Sequence, residues 1–224
     1  MKGKTAILLG ATGLTGGLLL EQLAADAYFD KIILFSRSSV SLKNPKIEEH
    51  LVDLFQLEKH SSQFTGEVVF CCIGSTQKKT PDKEIYKKVD FGIPATAAKL
   101  AKQNSIKKMI VVSALGADKD SRFFYNKMKG EMEDVVLAQQ LKETYILRPS
   151  LIDGNRDESR PFEFAWKKVM KVANFLIVGP LKKYRSISAE TIANSMHFLA
   201  KQSYPNTIIE SEEIKIISAK NKST

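Results

Sequence analysis

The sequence predicts an α/β fold, a doubly wound parallel sheet with helices on both faces, over one unit spanning residues 1–224, with a small extension at 151–186 inside it. Three observations predict it. The apolar run Thr5-Ala-Ile-Leu-Leu9 enters three glycines spaced by three, Gly10, Gly13 and Gly16, and a helical apolar pattern at Leu14, Leu18, Leu19 and Leu23 follows at once. The runs Val68–Ile73 and Met109–Val112 are continuously apolar rather than alternating, as parallel strands covered on both faces require. Segments of helical period separate the strand-like runs, the order that builds a parallel sheet by crossovers. At 224 residues and 43% hydrophobic, the chain can bury a sizeable core, and it carries no internal repeat, low-complexity stretch or lipid-spanning apolar run.

The first element is the most specific. Strand, tight glycine turn and helix in that order suit a dinucleotide, because glycines permit the sharp turn and let backbone N–H groups approach a pyrophosphate seated on the positive end of the helix. Side chains at Gly10 or Gly13 would hold the phosphates off. Met1-Lys-Gly-Lys4 with the following apolar residues and Ala25-Asp-Ala27 also fits the outline of a secretory signal, but four glycines within eight residues interrupt its apolar core, and the helical period crosses the supposed cleavage point.

Lys31–Ser36 reads as the second strand, with Arg37 directly after it. An acidic residue there would bind the ribose 2′-hydroxyl of NAD, whereas an arginine accommodates the 2′-phosphate of NADP, so Arg37 points to NADP(H) over NAD(H). Ser36 and Ser38 are placed to add hydrogen bonds to that phosphate. A third strand runs from Lys46 to Asp53, and the fourth, Glu67–Ile73, ends at Gly74-Ser75 and opens on the cofactor cleft. Pro81 starts a helix with Asp82 and Glu84 in its first turn, and Pro94 interrupts or restarts it.

Met109–Ser113 is the fifth strand, with Ser113 at its carboxyl end, and Tyr125 and Lys129 follow at i and i+4 on one face of a helix starting near Ser121. A phenol can exchange a proton with a substrate oxygen when a neighbouring ammonium lowers its pKa, and a serine hydroxyl can hold the same oxygen. Thr144–Arg148 makes a sixth strand. Beyond it come a charged loop from Asp153 to Arg160, an amphipathic helix from Phe162 to Leu176, a turn at Gly179-Pro180, a helix from Ala189 to Ala200 and a last strand at Glu213–Ser218. The segment Asp153–Arg185 is placed to select the substrate; Arg156 and Arg160 either bind an acidic group or close the loop by pairing with Asp157, Glu158 or Glu163.

The 34 lysines and arginines exceed the 25 aspartates and glutamates, with basic groups at Lys78–Lys88 and Lys167–Lys183. Lysines scattered among glutamates describe a solvated surface more often than a nucleic-acid face, so nucleic acid and membrane are not expected partners, and an anionic cofactor also profits from a positive cleft. The adjacent cysteines Cys71 and Cys72 make neither a disulfide framework nor a metal-ligand spacing and fit a reduced, cytoplasmic chain; the sequence leaves both a monomer and a homodimer open.

Taken together, GATGLTGG (10–17), SRS (36–38), CCIGST (71–76), SALGAD (113–118), FFYNKMKGEME (123–133), LRPSLI (147–152) and RDESRP (156–161) resemble an atypical short-chain dehydrogenase/reductase with an NAD(P)-binding Rossmann fold, specifically the Tat-interacting oxidoreductase group. The resemblance implies that Gly10, Thr12, Gly13, Leu14, Thr15 and Gly16 form the pyrophosphate loop, that Arg37 meets the 2′-phosphate, and that Asp53 and Leu54 border the adenine. It implies further that Cys72, Ile73 and Gly74 line the ribose side and Pro149 sits near the carboxamide. Ser113, Tyr125 and Lys129 would be the catalytic trio, with Lys129 also bridging the nicotinamide ribose hydroxyls. Cys-Ile-Gly stands where Asn-Ala-Gly is common in the family, and no asparagine stands in an obvious place to complete a proton relay. The expected function is an NADP(H)-dependent oxidoreductase acting on a small carbonyl or alcohol; the alternative is a non-catalytic NADP(H)-binding sensor or scaffold with a protein partner.

Overall fold

The computed structural model describes residues 3–153 and 185–221. The expectations for Arg156 and Arg160, the helix at 162–176, the Gly179-Pro180 turn, the basic group at 167–183 and most of the 151–186 extension lie outside them.

Seven strands form one parallel sheet: β1 (Lys4–Leu9), β2 (Phe29–Ser36), β3 (Ile47–Leu51), β4 (Val68–Cys71), β5 (Lys108–Val112), β6 (Glu143–Arg148) and, later in the chain, Ile208–Glu210. Between β6 and that last strand, two-residue strands β7 (Ile152–Asp153) and β8 (Ile187–Ser188) pair with each other, so the seventh strand of the large sheet is β9. The spatial order is β3-β2-β1-β4-β5-β6-β9. The chain therefore winds one way from β1 to β3 and the other way from β4 onward. The carboxyl ends of β1 and β4 flank the point where the order reverses, which is where an open α/β sheet leaves a crevice for a ligand.

The apolar runs are continuous because the sheet is covered on both sides. Ala6 and Leu8 face a core completed by α1 (Leu14–Ala25), α5 (Ala189–Lys201) and α6 (Ser211–Asn221). Ile7 and Leu9 face a second core built with α3 (Ile93–Gln103), α4 (Phe124–Leu137) and the short 3₁₀ segment Leu54–Gln63. The strands inside the sheet thus place alternate side chains in two different cores, while the edge strand β3 adds only Ile47 to one of them, and the doubly wound architecture is the one expected.

The helix expected to start at Pro81 starts two residues later, at Lys83. Asp82 caps it, its Oδ1 accepting from the Glu84 and Ile85 N–H groups at 2.8 and 3.0 Å, and α2 covers Lys83–Lys87. Pro94 does not break the helix. Because Pro94 has no N–H to offer the Asp90 carbonyl, the chain makes a wider π-type turn over Lys88–Gly92, closed by Ile93 N–H on the Lys88 carbonyl, and continues as α3. That turn carries the Asp90 side chain inward.

Three boundaries move. The third strand stops at Leu51, since Asp53 caps the 3₁₀ segment by accepting from Phe55 N–H at 2.9 Å. The helix expected near Ser121 starts at Phe124. Glu213–Ser218 is not a strand: it lies in helix α6, and the last strand is the three residues Ile208–Glu210 before it.

Candidate active site

β1 ends at Leu9, and Gly10 takes φ +88°, a left-handed conformation that a side chain resists. A Cβ there would stand 2.8 Å from the carbonyl carbon and oxygen of Cys72. The turn closes with Gly13 N–H on the Gly10 carbonyl at 3.0 Å, and Gly13 then begins α1 without any side-chain cap. The first N–H groups of α1 therefore point out of the turn unsatisfied by the protein, the arrangement that accepts an anion. Gly16 serves the turn from below: its Cβ would lie 2.1 Å from the Gly10 oxygen, so α1 can pack this closely only without one.

A cavity of about 400 Å³ opens over this turn, lined by Gly10, Thr12 and Gly13, by Ser36 and Arg37 after β2, by Asp53 and Leu54 after β3, and by Cys72, Ile73 and Gly74 after β4. These are carboxyl ends of adjacent strands. Leu14, Thr15 and Gly16 do not line it; they form the first turn of α1 beneath the loop. Ser36 donates its hydroxyl to the Ser38 carbonyl at 2.8 Å. Cys72 lies 3.7 Å, sulfur to sulfur, from Met196; burial pushes the Cys71 thiol up to about 11 and raises that of Cys72 as well, so neither is poised as a thiolate.

Ser75 lines this cavity and a second one beside it. The second is walled by Ser113, Leu115 and Gly116 after β5, by Tyr125 and Asn126 of α4, and by Arg148 to Ile152 after β6, with Pro149 among them. Asn126 holds the β5–α4 loop, donating its amide to the Gly116 carbonyl at 2.6 Å while its own carbonyl accepts from Asp118 N–H at 3.0 Å. Tyr125 is 37% exposed and stacks on Tyr86 with ring centroids 6.2 Å apart.

Two acidic residues that the sequence reading did not single out organise this wall. Glu133, two helical turns from Tyr125 on the same face of α4, is buried and accepts the hydroxyl hydrogen of Ser113. Arg148 holds the same carboxylate through Nε, 3.0 and 3.2 Å from its two oxygens, and reaches Glu210 Oε1 at 3.3 Å. The other is Asp90. Lys129 is 2% exposed and lines neither cavity; its ammonium lies 3.2 Å from Asp90 Oδ1, itself 1% exposed. That contact has the distance of an ion pair without the alignment of a hydrogen bond, and Asp90 Oδ2 accepts from Ser75 N–H at 2.8 Å. The spacing of Tyr125, Lys129 and Glu133 by four was a visible signal for Glu133. Asp90 had none beyond Pro94.

The structure thus brings Ser113, Tyr125 and Pro149 to one cavity and most of the expected cofactor residues to its neighbour. In sequence, residues 10–167 match the family described as NAD(P)H-binding. Protein HTATIP2 of Rattus norvegicus is 32% identical over 172 residues, covering 75% of this chain and 71% of that protein. The mitochondrial protein FMP52 of Meyerozyma guilliermondii is 36% identical over 186 residues, 79% of this chain and 78% of its own. Among solved structures, the Bordetella bronchiseptica enzyme WbmG in complex with NAD superposes with a TM-score of 0.68 at 11% identity, over 100% of this chain and 79% of that one. A UDP-N-acetylglucosamine 4-epimerase from Methanobrevibacter ruminantium M1 gives 0.68 at 19% identity, over 93% and 76%. At those identities the likeness is one of fold.

Proposed function

This chain belongs to the NAD(P)H-binding family, as an atypical short-chain dehydrogenase/reductase, and from that premise we propose that it is an NADP(H)-dependent oxidoreductase acting on a small carbonyl or alcohol. One observation carries the reading: the cavity that holds Ser113 and Tyr125 adjoins, through Ser75, the cavity built over the glycine turn. A nicotinamide cofactor, when bound, supplies or takes the hydride. Its phosphates fit the uncapped start of α1 and the turn at Gly10, where a Cβ has no room.

The chain's own groups handle the proton. Tyr125 exchanges it with the substrate oxygen as general acid or base, and the Lys129 ammonium one helical turn away favours the phenolate. Ser113, whose own hydrogen goes to Glu133, can accept the hydroxyl hydrogen of an alcohol but offers none to a carbonyl oxygen, so the proton exchange at a carbonyl falls to Tyr125. Arg37 beside Ser36 favours NADP(H) over NAD(H).

A panel of carbonyl compounds, followed through NADPH absorbance, tests the assignment. Turnover that disappears in Tyr125→Phe supports it. Tight NADPH binding with no turnover on any compound supports instead a cofactor-binding sensor or scaffold, a reading favoured by the turning of Lys129 away from both cavities. Among the described residues no helix is long and apolar enough to cross a membrane. The cytoplasmic location expected from the reduced cysteines stands beside relatives named mitochondrial, and cell fractionation decides between the compartments.

A further inference from the structure

The Asp90–Lys129 contact is a buried ion pair with no part in binding substrate directly. Among the described residues Asp90 is the one carboxylate at ion-pair distance from that ammonium. An ammonium this deeply enclosed is stabilised by a counter-charge beside it, because burial without one disfavours the charged form. The Asp90 carboxylate is brought there by the π-type turn over Lys88–Gly92, and its other oxygen holds Ser75 N–H, at the wall shared by both cavities.

We propose that Asp90 is the positioning residue of this site: its carboxylate keeps the Lys129 ammonium charged and fixed one helical turn from Tyr125, and ties that arrangement to the Ser75 wall. Asp90 acts on the reaction only through Lys129. The inference rests on the proposed role of Tyr125 as the proton-exchanging group.

The other charges around Lys129 do not replace Asp90. On α4 itself, Glu133 is engaged by Ser113 and Arg148, and Glu131 pairs outward with Lys87 at 3.5 Å. From β4, Cys71 faces the pair as a neutral thiol, raised to about 11 by its burial. From α2, Tyr86 stacks on the Tyr125 ring, and the buried side chains of α3 are all apolar. Removing the Asp90 charge therefore leaves the buried Lys129 ammonium without its counter-charge and without the contact that fixes it.

The test needs no substrate. Phenolate absorbance is titrated in the protein and in each variant, each against its Tyr125→Phe counterpart, so that the difference isolates Tyr125 from the remaining tyrosines. Lys129→Met is expected to move the Tyr125 titration up by about one pH unit or more, because it removes the nearby cation. Asp90→Asn is expected to move it up as well, though less far because the repulsion between the carboxylate and the phenolate goes too; Asp90→Asn with Lys129→Met should move it no further than Lys129→Met alone, and Asp90→Glu should leave it near its starting point.

If Lys129→Met moves the titration and Asp90→Asn leaves it in place or lowers it, Lys129 keeps its charge without Asp90 and the inference is overturned. If neither moves it, the inference falls together with the proposed tuning of Tyr125 by Lys129, a distinct result. Should Asp90→Asn fail to fold, Asp90→Glu decides: a titration displaced as far as in Lys129→Met overturns the role of the carboxylate.

Discussion

Ser113 gives its only hydroxyl hydrogen to Glu133, two helical turns beyond Tyr125, so the serine faces the cavity it shares with Tyr125 with lone pairs. The same carboxylate neutralises Arg148, whose side chain is partly exposed. Glu133→Gln preserves shape but leaves the guanidinium short of its main counter-charge. It is expected to cost about 3 kcal/mol, the low end for breaking a buried pair, because water reaches Arg148. Urea denaturation measures this, and a cost near zero would mean that the Ser113–Glu133–Arg148 chain contributes little.

Gly16 and Gly17 are neighbours in α1 with opposite tolerances. A Cβ on Gly16 would stand 2.1 Å from the Gly10 oxygen, a backbone atom that cannot step aside without opening the turn. On Gly17 it would meet the Ala11 oxygen at 3.5 Å, an ordinary contact. Gly16→Ala is expected to lose NADPH binding and stability. Gly17→Ala is expected to keep binding and gain up to about 1 kcal/mol from helix propensity. Equal NADPH affinity in both variants would remove the turn from the binding site.

The glycine turn was legible because its physics is local: the strand, the φ +88° at Gly10 and the uncapped helix start all follow from ten consecutive residues. The carboxyl-terminal helix was not. Glu213-Ile-Lys-Ile alternates polar and apolar like a strand and is rich in β-branched residues, yet the buried positions are Ser211, Ile214, Ile217 and Ser218, at helical spacing, with Ile216 left exposed. Which isoleucine is covered depends on α5, which no local pattern reveals. Asp90 was hidden for a similar reason, since its burial follows from the π-type turn that Pro94 imposes and from α4 packing over it. Lys129 was visible as a partner for Tyr125, but that its ammonium turns to Asp90 needed the fold.

Gly130 lies inside α4, where alanine would ordinarily favour the helix by about 1 kcal/mol. A Cβ there would meet Lys119 N at 2.2 Å and the Asp118 carbonyl carbon at 2.3 Å. Gly130→Ala is therefore expected to destabilise the protein despite its better propensity, and to displace the Gly116–Lys119 loop, whose Gly116 lines the cavity beside Tyr125. Thermal unfolding checks the sign; a gain in stability would show that the loop yields freely.

Arg37 stands with Ser36 at the end of β2, on the rim of the cofactor cavity. A guanidinium on a 2′-phosphate makes charge-assisted hydrogen bonds absent for a ribose hydroxyl. Arg37→Ala is expected to weaken NADPH binding by roughly 10- to 100-fold, from the loss of about 1.5–3 kcal/mol, with little change for NADH. Equal losses for both cofactors in a fluorescence titration would count against the phosphate contact.

Far from the cavities, Asp26 after α1 lies 2.8 Å from His197 Nε2 and 2.9 Å from Lys201 Nζ, joining α1 to α5. Burial would raise the Asp26 carboxyl, but the Tyr28 N–H and the Lys201 ammonium outweigh it and hold the group below its ordinary value. Burial, aided by the Lys201 charge, pushes His197 down, against the pull of Asn221 and Asp26. A histidine depressed in the folded state takes up its proton more readily in the unfolded chain, so its contribution to stability is present above about pH 6.5 and is lost as pH falls below that value. The depressed aspartate acts in the same direction in a lower window: its contribution is present above about pH 3.9 and is lost as pH falls through the lower folded value. Stability to urea should therefore drop in two stages on acidification. His197→Gln should abolish its share of the first stage and trim the second only slightly, since its charge is the smallest of the causes that lower Asp26, whereas Lys201→Met should shrink the second more. A first stage unchanged in His197→Gln would assign the loss near neutrality to other groups.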